Sequence, residues 1–170
     1  MKKKGAAGID AIPPVFLKNL GPNALQELLH IFNISFRNAA CPQLWRNAII
    51  IPILKASKPA SELASYRPIS LTSCIVKVLE RMIAERLYHI AETNGWFSSL
   101  QAGFRKGRGC EDQILKLTQA IEDGFQQKKK SVLVLLDFSK AYDTVWRERL
   151  LLSMHQRAVP LMIVRWLCSF

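Results

Sequence analysis

The chain has 170 residues, of which 49% are hydrophobic and 22% are charged, the balance of an ordinary globular domain or part of one. No apolar run approaches the ~20 residues that a membrane-spanning helix needs, and no signal-peptide core follows the basic start MKKK. The four cysteines lie far apart without a CxxC pair, which excludes an evident zinc site and indicates free thiols. We therefore expect a soluble intracellular protein.

The net charge of +11 is unevenly distributed. In residues 1–60, eight lysines and arginines stand against only Asp10 and Glu27. Such an excess favours the binding of a polyanion, although it indicates nothing about the fold.

The first half of the chain predicts helices and a pair of extended segments. After GIDAIPPVFLKNLGP, which prolines and glycines interrupt, apolar residues at helical spacing predict one face of a helix: Leu25, Leu28, Leu29, Phe32 and Phe36. Residues 48–54 are apolar and β-branched around Pro52, which indicates an edge strand. YRPISL follows as a second extended segment, because Pro68 disfavours helix before it.

The second half predicts two long helices, a strand and two further helices. Apolar residues from Ile75 to Ile90 form an amphipathic face that Asn94-Gly95 ends, and a helix with Glu111 and Asp112 in its first turn follows. Residues 132–136, VLVLL, predict a strand buried on both faces. Helices are expected after Val145 and from Leu161, and the last has no polar cap, as in a chain cut inside a domain.

Asp137 directly follows the predicted buried strand, where a carboxylate is costly unless it has a partner. Ser139 argues against the Asp-x-Asp pattern of phosphatases. Asp143 lies six residues on, about 240° around a helix at ~100° per residue, so we expect a cap or salt bridge rather than a second metal ligand. From these residues alone, a helix cap or turn remains an alternative for Asp137.

Two basic segments could bind phosphate. LKASKP and YRPISL carry Lys55, Lys58 and Arg67 on or beside extended chain, where arginine offers bidentate contacts and lysine a point charge; for Lys58 a solvated loop is favoured. QAGFRKGRGCEDQ combines three glycines and three basic residues before a helix, but it lacks the Gly-Lys-Ser ending of a nucleoside-triphosphatase loop.

Taken together and in order, GIDAIP, WRNAIIIPI, YRPISL, QAGFRKGRG and LLDFSKAYDTVW resemble the reverse transcriptase of non-LTR (LINE-type) retrotransposons. The resemblance implies an α/β (α+β) right-hand polymerase fold, with a helical lead-in at residues 1–45 and the reverse transcriptase domain at residues 46–170. It implies that Asp137 is a catalytic, metal-binding carboxylate and that Tyr142 is the gate beneath the incoming sugar. Lys55 and Arg67 would neutralise the triphosphate. Four further residues would contact template or other nucleic acid: Gln101, Arg105, Lys106 and Arg108.

The resemblance also implies cofactors and partners: two Mg²⁺ ions, an RNA template, a DNA primer and deoxynucleoside triphosphates, with nuclear localisation as a family property. The family completes its metal site from a Tyr-x-Asp-Asp hairpin, and the sequence contains no Asp-Asp pair. We therefore expect a fragment that is inactive alone. The alternatives are a non-catalytic, basic nucleic-acid-binding remnant and an unrelated basic α/β protein.

Overall fold

The computed structural model describes residues 5–170, and the chain divides into two compact units. The first unit runs to Tyr88 and resumes with Arg147–Phe170, and the second is His89–Trp146. The elements described are α1 (Pro14–Lys18), α2 (Pro22–Arg37), α3 (Gln43–Arg46), β1 (Ile49–Leu54), a 3₁₀ turn (Leu63–Ser65), β2 (Tyr66–Leu71), α4 (Cys74–Thr93), α5 (Cys110–Gln126), α6 (Arg147–Gln156) and α7 (Leu161–Ser169). This combination of helices with a small sheet confirms the predicted mixed fold class, while the division at residue 45 stays a prediction.

The core of the first unit confirms the predicted amphipathic helices. Helix α4 buries Val76, Leu79 and Ile83 at helical spacing, and Trp166 of α7 is 1% exposed. The indole Nε1 of Trp166 donates a hydrogen bond of 3.0 Å to the hydroxyl of Ser35 on α2, so the polar atom of the largest buried side chain is satisfied. None of the helices in residues 5–170 is both long and apolar enough to cross a bilayer.

The GIDAIP segment packs against the start of helix α4. A Cβ at Gly8 would lie 2.6 Å from the backbone carbonyl of Thr72, so only glycine permits this approach. The Ser73 hydroxyl donates to the Asp10 carboxylate at 2.5 Å and accepts from the Ile75 amide at 3.1 Å. Ser73 therefore caps α4, and Asp10 orients the cap.

We predict that Gly8→Ala destabilises the chain by about 1–3 kcal/mol, because the added methyl meets backbone that cannot move aside. Urea denaturation measures the change. Gly103→Ala is the control, since a Cβ there meets nothing within 4 Å. Equal stabilities of Gly8→Ala and wild type would contradict the close approach.

Glu80 on α4 lies close enough to the buried thiol of Cys41 to raise the pKa of that thiol. Burial raises the pKa of the Glu80 carboxyl, and Lys77 partly offsets this increase. Burial also raises the pKa of the Cys41 thiol, Arg46 lowers it and Glu80 raises it further. Ionised Glu80 is thus less favourable in the folded chain than in the unfolded chain.

Glu80→Gln should therefore stabilise the chain at neutral pH and have little effect below about pH 4, where the carboxyl is protonated in both states. Because the pKa of Glu80 is raised in the folded chain, the free energy of unfolding of the wild type falls as pH rises above the pKa that Glu80 has in the unfolded chain. Thermal melts of wild type and variant across this range measure the difference. Glu27→Gln on the exposed face of α2 is the control, and a Glu80→Gln effect that is independent of pH would refute the assignment.

The strand predicted at residues 132–136 is wrong. These residues have no regular secondary structure, and their side chains are 56–85% exposed. A strand needs a neighbour for its backbone groups, and the sheet of the described residues contains only β1 and β2. At the start of the segment, Ser131, Val132 and Leu133 line a 370 Å³ cavity with side chains of α5.

We expect the exposed segment at residues 132–136 to promote self-association, because its backbone N–H and C=O groups can pair with those of another chain and its side chains are apolar. Val134→Lys should shift the chain toward monomer in sedimentation experiments. Ile31→Lys is the matched control, since Ile31 is an exposed apolar residue on α2 at 48% exposure. Wild type that sediments as a monomer at every concentration would contradict this expectation.

Candidate nucleotide and nucleic-acid interface

Lys55 and Arg67 lie on the same face of the β1–β2 hairpin. The antiparallel register sets Ile53 opposite Arg67, and the Lys55 amide donates to the Ser65 carbonyl at 2.8 Å, which extends the ladder. Because alternate residues share a face, the side chain of Lys55 leaves the hairpin on the side of Arg67. Cβ atoms at such diagonal positions are roughly 7–8 Å apart or somewhat less, a spacing that lets two cations bind one polyphosphate.

The side chains of Lys55 and Arg67 differ in how the hairpin holds them. The Lys55 ammonium donates to the Ala64 carbonyl at 2.7 Å, so the hairpin loop holds it, and two of its three N–H donors remain. The Arg67 side chain is exposed.

Two prolines at facing positions restrict the backbone of the hairpin next to Arg67. Pro52 pairs with Pro68 in the register. Since the Lys55–Ser65 pair is hydrogen-bonded and antiparallel pairs alternate, the proline pair falls where no ladder N–H is needed. The prolines cost the hairpin no hydrogen bond and restrict the backbone on either side. This confirms the extended segments predicted around Pro52 and YRPISL.

In the second unit, Arg105 is the centre of the QAGFRKGRG loop. Its guanidinium donates two parallel hydrogen bonds to the Glu92 carboxylate, at 2.9 Å from Nε and 2.7 Å from Nη2. Nη1 donates to the carbonyls of Ser98 at 2.7 Å and Gln101 at 3.5 Å. The guanidinium also lies 5.4 Å from the ring centroid of Phe97. The guanidinium predicted to contact nucleic acid is thus engaged within the loop, and the template contact stays a prediction.

The other predicted residues of this loop lie on its exposed side. Gln101, Lys106 and Arg108 are exposed; Gln101 donates to the Gly103 carbonyl at 3.3 Å, and Arg108 donates to the Ser99 carbonyl. Gly107 has a φ of +69°, a conformation that favours glycine, and it turns the chain between the two cations.

Asp137 and Tyr142 lie in the irregular segment before α6. Asp137 is exposed and does not follow the buried strand that we predicted. Tyr142 is 77% exposed, and its ring meets Phe104 edge-on with centroids 6.4 Å apart. A turn closes around it, in which the amides of Asp143 and Thr144 donate to the Lys140 carbonyl at 2.9 and 3.1 Å.

Within residues 5–170 no three His, Cys, Asp or Glu side chains converge on a possible metal position. The backbone amide of Asp143 donates within the turn, and helix α6 begins four residues later, at Arg147; the cap or salt bridge expected of its carboxylate stays a prediction. In the part of the chain that the structure describes, Asp137 therefore does not belong to a cluster of possible metal ligands.

Three residues with evident structural roles in the second unit were not predicted. Glu92 lies near the end of α4, 13 residues before its partner Arg105, and no periodicity links the two. Phe97 and Phe104 were not distinguished from ordinary core residues, yet Phe104 is 91% exposed with a φ of +59°. An aromatic beside glycine in a basic loop is the one signal that could have indicated a surface role.

Residues 53–170 match the family described as reverse transcriptase (RNA-dependent DNA polymerase), and the chain belongs to this family.

Its relatives include RNA-directed DNA polymerases of mobile elements from Drosophila melanogaster. The chain is 36% identical over 148 residues to "Probable RNA-directed DNA polymerase from transposon BS" and 37% identical over 151 residues to "Probable RNA-directed DNA polymerase from transposon X-element". It is 32% identical over 148 residues to "RNA-directed DNA polymerase from mobile element jockey". These matches confirm the resemblance to non-LTR retrotransposon enzymes. They cover 87–89% of this chain but only 16–17% of the relatives' length.

Proposed function

We propose that the chain forms the fingers and first palm segment of an RNA-directed DNA polymerase that copies RNA into DNA. The observation that carries the proposal is the shared face of Lys55 and Arg67 on an exposed hairpin, in a chain whose residues 53–170 match the reverse transcriptase family. Together the two cations would hold the triphosphate of a deoxynucleotide, with arginine giving the directional contact.

Tyr142 would select the sugar of the incoming nucleotide. An aromatic ring beneath the sugar leaves no room for a 2′-hydroxyl. The backbone that carries the ring lies in a hydrogen-bonded turn at residues 140–144. Phe104 packs edge-on against Tyr142 and would limit its rotation. The substrates on this proposal are deoxynucleoside triphosphates, with an RNA template and a DNA primer.

Asp137 would be one of the carboxylates that hold Mg²⁺. Nucleotidyl transfer by two metals requires several carboxylates around ions about 3.5–4 Å apart. The described residues contain no cluster of possible metal ligands, so the residues of this chain do not fit a complete site. Asp137 would thus act only together with carboxylates from a polypeptide that extends through a Tyr-x-Asp-Asp hairpin.

A second candidate function is non-catalytic binding of nucleic acid. It is favoured by the single exposed Asp137 and by the net charge of +11, which suffices for sequence-independent binding of phosphates. Under this alternative the basic loops would bind RNA or single-stranded DNA, and Asp137 would have no chemical role.

Primer extension on an RNA template tests the proposal in a longer polypeptide that continues through the Tyr-x-Asp-Asp segment. Asp137→Asn should reduce incorporation of every nucleotide by on the order of 10³-fold, since it removes a charge that the transition state requires. Tyr142→Ala should retain incorporation of deoxynucleotides and lower discrimination against ribonucleotides by roughly 10- to 200-fold.

Asp143→Asn is the matched control, because it makes the same chemical change six residues away and should leave incorporation near wild type. The 170-residue chain should not extend a primer. Polymerisation by that chain would refute the incomplete site, and equal losses in Asp137→Asn and Asp143→Asn would refute the role of Asp137.

A further inference from the structure

Arg105 is the most enclosed cation of the QAGFRKGRG loop. Its side chain is 9% exposed and that of Glu92 is 31% exposed. Guanidinium and carboxylate meet in a two-bond fork at 2.9 and 2.7 Å. A bidentate pair with this degree of burial has a fixed geometry, unlike a fully exposed surface ion pair.

The remaining contacts of the guanidinium tie together a loop that has little other support. The carbonyls of Ser98 and Gln101 accept from Nη1, and the ring of Phe97 lies beneath the cation. Within residues 89–146, Ala91 is the one residue that is buried. Apolar packing is therefore too sparse to fix this loop, and the polar contacts of Arg105 take its place.

The cations on the exposed side follow immediately. Lys106 is the next residue, and Gly107 turns the backbone with φ +69°. Arg108 is bonded back to the Ser99 carbonyl, and the Gly109 amide donates to the Asp112 carboxylate at 2.9 Å. Hydrogen bonds thus hold the loop at Arg105, before Lys106, and at Gly109, after Arg108.

We propose that Glu92 and Arg105 are a positioning pair, which holds the loop in the shape that presents Lys106 and Arg108 to the phosphates of a single-stranded nucleic acid. The inference rests on the nucleic-acid binding proposed above and assigns Arg105 a role different from direct contact. Glu92, an acidic residue in a basic region, promotes the binding of a polyanion because it orients cations.

The sign of the effect of Glu92→Ala separates this role from simple electrostatics. The substitution adds one unit of positive charge, so a charge effect alone would tighten binding to RNA. Loss of the positioning pair should instead weaken binding several-fold. Glu122→Ala is the matched control, because Glu122 is an exposed residue of α5 and its loss changes the charge equally.

The experiment is a fluorescence anisotropy titration of the 170-residue chain with a labelled single-stranded poly-uridine RNA, at fixed salt and well below the melting temperature. Arg105→Lys should also weaken binding, since lysine keeps the charge but cannot form the fork. Arg37→Lys on α2 is its control. Amide hydrogen exchange without RNA should accelerate at residues 98–105 in Glu92→Ala and not in Glu122→Ala.

Tighter binding by Glu92→Ala would overturn the inference, because the change in charge would then outweigh any effect of the pair on the shape of the loop. Unchanged exchange at residues 98–105 would also overturn it, because the pair would not hold the loop. If wild type fails to bind the RNA, both this inference and the proposed nucleic-acid function fail. If wild type binds and Glu92→Ala binds equally, only the positioning pair fails.

Discussion

In each unit, one carboxylate accepts hydrogen bonds in or next to the segment that carries the candidate binding residues, at the start of α4 in the first unit and near its end in the second. At the start, Asp10 accepts from Ser73, which caps the helix directly after the strand that carries Arg67. Near the end, Glu92 accepts from Arg105 and closes the basic loop. Hydrogen bonds to charged acceptors are stronger than neutral ones, so they can define backbone that has few apolar contacts.

The sequence predicted those elements whose stability depends on local pattern. Helices α2, α4 and α5 follow from apolar spacing, and the two extended segments follow from the apolar, β-branched residues around Pro52 and from Pro68, because each of these signals is local. The contacts that organise the candidate site are of another kind. Asp10–Ser73 and Glu92–Arg105 join residues 63 and 13 positions apart, and a single sequence carries no periodic signal for such pairs.

The strand expected at residues 132–136 illustrates the same limit. An apolar run of this length has high strand propensity, but propensity becomes a strand only when a second backbone supplies the ladder. Neither the run itself nor Asp137 after it encodes that partner. Without a ladder the apolar side chains remain exposed and Asp137 is not rigidly oriented, which explains why local reasoning was right about the helices and wrong about the strand.

In the proposed function, the binding of phosphate and catalysis would therefore depend on segments with different degrees of preorganisation. Lys55 and Arg67 are on a formed hairpin, and Lys106 and Arg108 are in a loop that hydrogen bonds close. Asp137 has neither support. An electrostatic surface needs only approximate geometry because its interactions fall off slowly with distance, whereas a metal site requires its ligands within about 0.5 Å of the productive position. Under the proposed function, a chain with this distribution of order would bind nucleic acid before its carboxylate is fixed, so binding would not require the neighbouring strands that a metal site needs.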